Sequence, residues 1–438
     1  MRRLVRVLFE TLVRLFFPIR TVVGRDRVPR GRPAIFVLNH PNGLLDPVVL
    51  RVLLDVRVGF LAKSTLFGNP VGRIAMEAFD AVPVYRQKDV GKGGGDPSRN
   101  EETFARCRAA LARGDSLALF PEGVSHSDPE LKPLKTGAAR IALSAAARDE
   151  RARGVTIVPV GLAYGDRSVF RSEVVAVVGE PIAVAERLEA YGRDEFPTVE
   201  ALTDAIRTSL DAVVLQAETR EVLDGVARVA VWTADDPAIR DEPAARHERA
   251  RTLLDAFAKL RERDPARADA IVSKARAYAA ELEALGVRDP WDLEVGHVPW
   301  TTALRFALRL AIELPIAIVG AVLGWIPYRL AGIVAGRVAR EEDVLGTVKL
   351  LGGALFILVA WIVEAIVAGI LTRAAIGAAV FVLAPACGYV ALRFGESVDL
   401  ARASLRHLWL RRTSRVRVEQ LAKQRKELAE EVQRALQG

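Results

Sequence analysis

The stretch VLNHPNGLLDPVVL puts His40 at the end of an apolar run and Asp46 in the first turn of the helix that its next residues favour. A neutral imidazole takes a proton from an alcohol, and a carboxylate on its other nitrogen fixes tautomer and orientation. No Ser or Cys lies close by in sequence, so the pair suggests direct attack by an activated substrate hydroxyl rather than a covalent acyl-enzyme. Taken alone, a His and an Asp six residues apart are more commonly a structural cap. A second segment, FPEGVSHSDP, follows the apolar run SLALF and carries Phe120, Pro121, Glu122, Gly123 and Ser125. A carboxylate and a glycine beside backbone amides at a strand end suit a polar headgroup; Pro-Glu-Gly is also a good plain turn. His126 adjoins Ser125, but sequence neighbours do not pair as nucleophile and base without special geometry, and there is no Gly-x-Ser-x-Gly elbow. Two cysteines, Cys107 and Cys387, cannot form a disulfide framework or a metal cluster, and five histidines leave little room for a multi-His metal site.

The elements that must position these residues alternate between short apolar runs and helical stretches. AIFVLN (34–39), VGFLA (58–62), AVPVY (81–85), SLALF (116–120), TIVPVGLAY (156–164) and VVAVVG (174–179) read as strands. Leu44–Leu54, Glu101–Ala112 and Thr136–Ala147 read as helices, giving an α/β domain with a mixed sheet flanked by helices. Gln87–Asn100 reads as a mobile loop; its GKGGGD lacks the Gly-Lys-Ser/Thr ending of a phosphate-binding P-loop.

The chain of 438 residues divides by composition and charge. Residues 1–32 hold nine Arg against Glu10 and Asp26, and residues 393–434 hold eleven Lys/Arg against six Asp/Glu; the +8 of the whole chain leaves −4 between them. Two basic ends around an acidic middle fit an anionic membrane surface better than a nucleic acid. Residues 1–32 are expected to form a basic amphipathic helix on the membrane surface or packed on the domain, and not a cleavable signal peptide. The α/β domain then covers 33–215 and a helical connector 216–299. Leu350–Thr372, with Glu364 its one charge, and Ala374–Leu392 are each long enough to span a bilayer, as a hairpin turning at Arg373. Leu314–Tyr328, with Pro315 and Pro327, reads as re-entrant or interfacial, completing a membrane region over 300–395. The basic tail 396–438 places the open end of the hairpin, and the α/β domain, in the cytoplasm. Abundant Ala and Arg with few Lys suggests a bacterial inner membrane.

NHPNGLLDP, VPVYR (82–86), FPEGVS (120–125) and IVPV (157–160) resemble, in order and spacing, the four blocks of the glycerolipid acyltransferase (PlsC-like) family. FLAKSTLF (60–67) and LKTGAAR (134–140) make the resemblance greatest to the branch acylating glycerol-3-phosphate or dihydroxyacetone phosphate. The resemblance covers about residues 1–215 and implies His40 as general base and Asp46 as its orienting acid. It implies Arg86 as partner of the acceptor phosphate, Glu122 and Gly123 as further acceptor-binding residues with Ser125 nearby, and Lys63, Lys135 and Arg140 as additional phosphate contacts. Pro159 would shape the acyl-donor side. The family usually has four residues between His and Asp; here five, Pro41 to Leu45, intervene, and Asn42 and Gly43 are expected to absorb the extra one.

The expected function is transfer of a fatty acyl group from an acyl thioester, on coenzyme A or acyl carrier protein, to a hydroxyl of glycerol-3-phosphate or dihydroxyacetone phosphate. No cofactor and no metal are expected. The alternatives are lysophosphatidate as acceptor, and a non-catalytic membrane lipid-binding scaffold; a pure binder has no need of a base.

Overall fold

In AIFVL, Ala34, Phe36 and Leu38 enter one apolar core while Ile35 and Val37 enter another. That period of two is expected of a strand covered on both faces. The computed structural model describes residues 1–85, 100–166, 169–287, 289–294, 300–338 and 342–437, so Arg86 and the expected loop at 87–99 lie outside the described residues. The chain forms two compact units, Met1–Leu223 with Glu341–Leu350, and Asp224–Arg340 with Leu351–Gly438.

The first unit runs α1 (Arg2–Phe16), β1 (Ile19–Val23), β2 (Ala34–Leu38), α2 (Leu45–Leu54), β3 (Val58–Lys63), α3 (Pro70–Ala78) and β4 (Val82–Val84). It continues through α4 (Asn100–Ala112), β5 (Ser116–Leu119), α5 (Gly137–Arg148), β6 (Thr156–Tyr164), β7 (Glu173–Val178), β8 (Ile182–Ala183), α6 (Leu188–Arg193) and α7 (Glu195–Asp211). The strand order is β1-β7-β6-β2-β5-β3-β4, with β8 on the first residues of β6. β6 pairs antiparallel with β7 and β8, and every other pair is parallel, so the sheet is mixed. α1, α2 and α3 bury their apolar residues on one face, and α4, α5 and α7 on the other.

Residues 1–32 are not separate from this domain, contrary to the boundary expected at residue 33. β1 pairs parallel with β7 from Ile19 to Val23, and Val13, Phe16 and Phe17 of the preceding segment are buried in the core. The arginines there serve the fold: Arg6 donates to the Ala78 carbonyl, Arg20 to those of Arg14 and Phe17, Arg25 to Leu53 and Arg27 to Val178. Charge counting alone misses this use, because a guanidinium has five donors that satisfy backbone carbonyls as readily as lipid phosphates. The opposite face of α1 exposes Met1, Leu4, Leu8 and Leu15.

The second unit contains most of α8 (Arg220–Trp232), then α9 (Pro237–Asp241), α10 (Pro243–Arg263), α11 (Pro265–Leu285), α12 (Trp300–Val338), α13 (Glu342–Leu371, shared with the first), α14 (Ala374–Thr413) and α15 (Arg415–Gln437). Among the described residues, three helices are long and apolar enough to cross a membrane: Trp300–Val334, Leu345–Leu371 and Ala374–Thr413. The segment read as re-entrant is part of the continuous α12, with Pro315 and Pro327 inside it. Each proline removes one backbone hydrogen bond, and the helix bridges the loss because its other residues, rich in Leu, Ile and Ala, keep their own. α14 passes through the expected boundary at residue 395, and the tail is no free appendage. Its α15 packs on α10 and α11, burying Leu421, Leu428 and Val432, and Arg425 stacks over the Trp291 ring 3.7 Å from its centroid.

Candidate active site

β2, β3, β4, β5 and β6 run parallel, so their carboxyl ends share one edge of the sheet. In such sheets that edge is where loops carry side chains into a common crevice. His40 follows the end of β2, residues 120–126 follow β5, Lys63 ends β3 and Tyr164 ends β6. Asn39 joins two of these ends: its side chain donates to the Leu162 carbonyl (3.0 Å) and accepts from the Leu162 N–H (2.8 Å).

His40 Nδ1 lies 2.8 Å from Asp46 Oδ2. Asp46 is fully buried and also accepts the Asn42 N–H on Oδ2 (2.8 Å) and the Tyr164 hydroxyl on Oδ1 (2.6 Å). A carboxylate holding three donors is an acceptor toward the ring, so Nδ1 carries the hydrogen and Nε2 presents its lone pair. Nε2 has no hydrogen-bond partner among the described residues. The Phe120 ring lies against the imidazole, centroids 3.8 Å apart and planes 15° from parallel. The extra residue between His40 and Asp46 is taken up in a turn: Leu45 N–H bonds to the Asn42 carbonyl, Gly43 has φ +40°, and α2 begins at Leu45. The carboxylate therefore reaches the ring despite the longer spacer.

The segment after β5 is tied to the same place, since His126 N–H bonds to the His40 carbonyl (3.2 Å). Glu122 is buried, and its Oε2 accepts from His126 Nε2 (2.5 Å) and the Lys132 N–H (2.7 Å). His126 Nδ1 in turn accepts the Asp128 N–H (3.2 Å). Both nitrogens of His126 are thus engaged in shaping the turn, which leaves it no lone pair with which to activate Ser125. Gly123 has φ +71°, and a Cβ there would fall 2.7 Å from the Lys135 ammonium, so glycine lets that cation lie over the turn. The Lys135 N–H bonds to the Pro121 carbonyl (2.8 Å).

The structure thus gathers His40, Asp46, Glu122, Gly123, Ser125 and Lys135. Lys63 is exposed on the same edge, at the end of β3. Arg140 belongs elsewhere: its guanidinium stacks over Phe104 at 4.9 Å, and its charge acts on Glu101 and Tyr191. Pro159 sits within β6 beside Val37, with Gly179 against its ring. The sequence reading missed Tyr164, Asn39 and the stacking of Phe120. Tyr164 stands 118 residues from Asp46, and its one sequence signal is its place at the end of a recognised strand. Cys107 is buried among α4 and α5 in the opposite core, and burial pushes its thiol up to about 12. Among the described residues, no group of three His, Cys, Asp or Glu is placed to hold a metal ion.

Residues 19–163 match the family model described as Acyltransferase, a span that runs from β1 through β6 and contains both segments around His40. This part of the chain is similar to the acyltransferase family. The chain is similar to glycerol-3-phosphate O-acyltransferase 2 of Saccharomyces cerevisiae, 34% identical over 191 residues, 43% of this chain and 25% of that one. It is also similar to a 1-acyl-sn-glycerol-3-phosphate acyltransferase of Chlamydomonas reinhardtii, 28% identical over 143 residues, 32% of this chain and 38% of that one. The crystal structure of the 1-acyl-sn-glycerophosphate acyltransferase PlsC from Thermotoga maritima aligns with TM-score 0.32 and 19% identity, over 48% of this chain and 81% of that one. The chain spans a quarter of the length of the yeast enzyme that it matches.

Proposed function

We propose that the protein transfers a fatty acyl group from an acyl thioester to a hydroxyl of glycerol-3-phosphate. The observation that carries the reading is the orientation of His40, whose Nδ1 is held by a buried carboxylate while Nε2 is left without a partner among the described residues. Nε2 takes the proton of the acceptor hydroxyl as its oxygen attacks the thioester carbonyl. The tetrahedral intermediate collapses with cleavage of the carbon–sulfur bond, and the proton ends on the departing sulfur. Asp46 holds the imidazolium that forms between these steps. Lys135, and Lys63 at the end of β3, supply cations for the acceptor phosphate, Arg86 is assigned the same part on the sequence resemblance alone, and Glu122 keeps the turn under Lys135 in shape.

Glycerol-3-phosphate is preferred as acceptor because the yeast relative named for it matches a longer stretch, at higher identity, than the algal relative named for the acylated acceptor. The donor is read as acyl-coenzyme A or acyl carrier protein. The three apolar helices support a multi-pass membrane protein, and the basic residues around them favour a cytoplasmic domain, in a bacterial inner membrane on composition. The test is purified full-length protein in vesicles with a labelled acyl thioester, offered glycerol-3-phosphate, dihydroxyacetone phosphate and lysophosphatidate in turn, with products identified by mass. Lysophosphatidate formed from glycerol-3-phosphate and lost in His40→Ala is the expected result. Phosphatidate formed from lysophosphatidate alone would move the reading to the second acylation, and no transfer to any of the three would end it.

A further inference from the structure

Asp46 has two oxygens, and the catalytic pair uses one of them. The other accepts the Tyr164 hydroxyl at 2.6 Å, a length typical of an O–H donor on a carboxylate. Tyr164 is itself fixed. It closes β6, where Asn39 brackets Leu162 two residues earlier and Gly165 N–H bonds to the Glu173 carbonyl. Its ring packs at 5.2 Å on that of the fully buried Phe17. The hydroxyl is therefore delivered to Oδ1 by strand and ring packing rather than by a mobile side chain. Without it, Oδ1 would be a buried carboxylate oxygen short of a donor, free to turn toward whatever N–H it could reach.

We propose that Tyr164 is a positioning residue for the His40–Asp46 pair, holding the Asp46 carboxylate so that Oδ2 faces His40 Nδ1 and the lone pair of Nε2 faces the acceptor hydroxyl. This rests on the acyl-transfer reading for its kinetics but not for its geometry. Among ionisable groups of the segment after β5, Glu122 and His126 are bound to each other, and the Lys135 ammonium lies over the turn at Gly123. None of them donates to Asp46 in place of Tyr164.

Tyr164→Phe removes the hydroxyl and keeps the ring on Phe17. With the donor gone, kcat is expected to fall about ten- to a hundredfold, the worth of one hydrogen bond to a charged group, with acceptor KM within about twofold. A second readout needs no turnover. Five histidines make a nitrogen-15 histidine spectrum of the full chain assignable, with His40→Ala marking the resonance. His40 is expected as the Nδ1–H tautomer in the wild type and as a mixture with Nε2–H in Tyr164→Phe. Phe17→Leu, which disturbs packing but not the donor, is expected to leave the tautomer alone. A wild-type His40 in the Nε2–H form, or a Tyr164→Phe protein with unchanged tautomer and kcat, overturns the assignment. Failure of all acyl transfer with the tautomer shift intact would remove the proposed reaction and leave Tyr164 in its role.

Discussion

Asp46→Asn separates geometry from chemistry at this site. The side chain is isosteric, fully buried, and replaces a group that accepts three hydrogen bonds. An amide keeps one acceptor oxygen and gains a donor. Placing that oxygen on the Asn42 N–H and His40 sets the new NH2 against the Tyr164 hydroxyl, which can rotate to accept. Reversing the amide sets NH2 against Nδ1, which then gives up its hydrogen and transfers the N–H to Nε2. In the second arrangement the base is lost; in the first the imidazolium has no negative partner. Both outcomes remove the stabilisation of the charged intermediate, for which comparable carboxylate-to-amide changes cost about four decades of kcat, or about 5 kcal/mol at 1.36 kcal/mol per decade. The fold should lose much less, about 1–3 kcal/mol, since the volume is unchanged and only hydrogen-bond quality suffers. The assay is single-turnover transfer of a labelled acyl group to glycerol-3-phosphate, with thermal unfolding followed in parallel. A kcat within tenfold of wild type, in a protein as stable as wild type, would show that Asp46 only braces the turn at Asn42.

Three further outcomes follow from the packing. Gly123→Ala forces a side chain into a left-handed backbone at a cost of about 1–2 kcal/mol and pushes the Lys135 ammonium aside from 2.7 Å; acceptor KM should rise several-fold in steady-state kinetics while kcat changes little, and an unchanged KM would detach Lys135 from acceptor binding. Cys107, raised to about 12 by burial, is thiolate to roughly one part in ten thousand at pH 8, so alkylating reagents should label it only after unfolding, as mass spectrometry of the native and denatured protein would show. His247 in α10 is lowered from 6.5 to about 4, chiefly by burial. The unfolded chain then binds a proton that the folded helix refuses. Stability is whole above pH 6.5 and falls as the pH drops toward 4, by up to about 3 kcal/mol. Hydrogen exchange of α10 across that range should show the loss, and His247→Leu should abolish it.

The core of the domain was legible because its strands are apolar on both faces and its turns carry Gly, Pro and Asn. AIFVL, SLALF and TIVPVGLAY fall within a residue of β2, β5 and β6. The pairing of His40 with Asp46 could be proposed from seven residues of local sequence. β1 could not, because IRTVV has Arg20 and Thr21 where a buried strand would be apolar and follows a helix that already explained the charges. Tyr164 lay beyond reach for a different reason, since only the pairing of β2 with β6 brings the end of one strand beside the loop of the other. α12 was obscured by its prolines, which break isolated helices but not one whose remaining turns carry the load.

A ring gripped along one edge by Asp46 and covered on a face by Phe120 cannot turn over between half-reactions. If the first proton is accepted at Nε2, the same atom must also release it. Alcohol and thiol therefore share one corner of the imidazole, and because the proposed reaction forms no acyl-enzyme, both co-substrates are docked together before either bond changes. Such an enzyme should follow sequential rather than ping-pong kinetics, with the stacked ring fixing the corner at which the two meet.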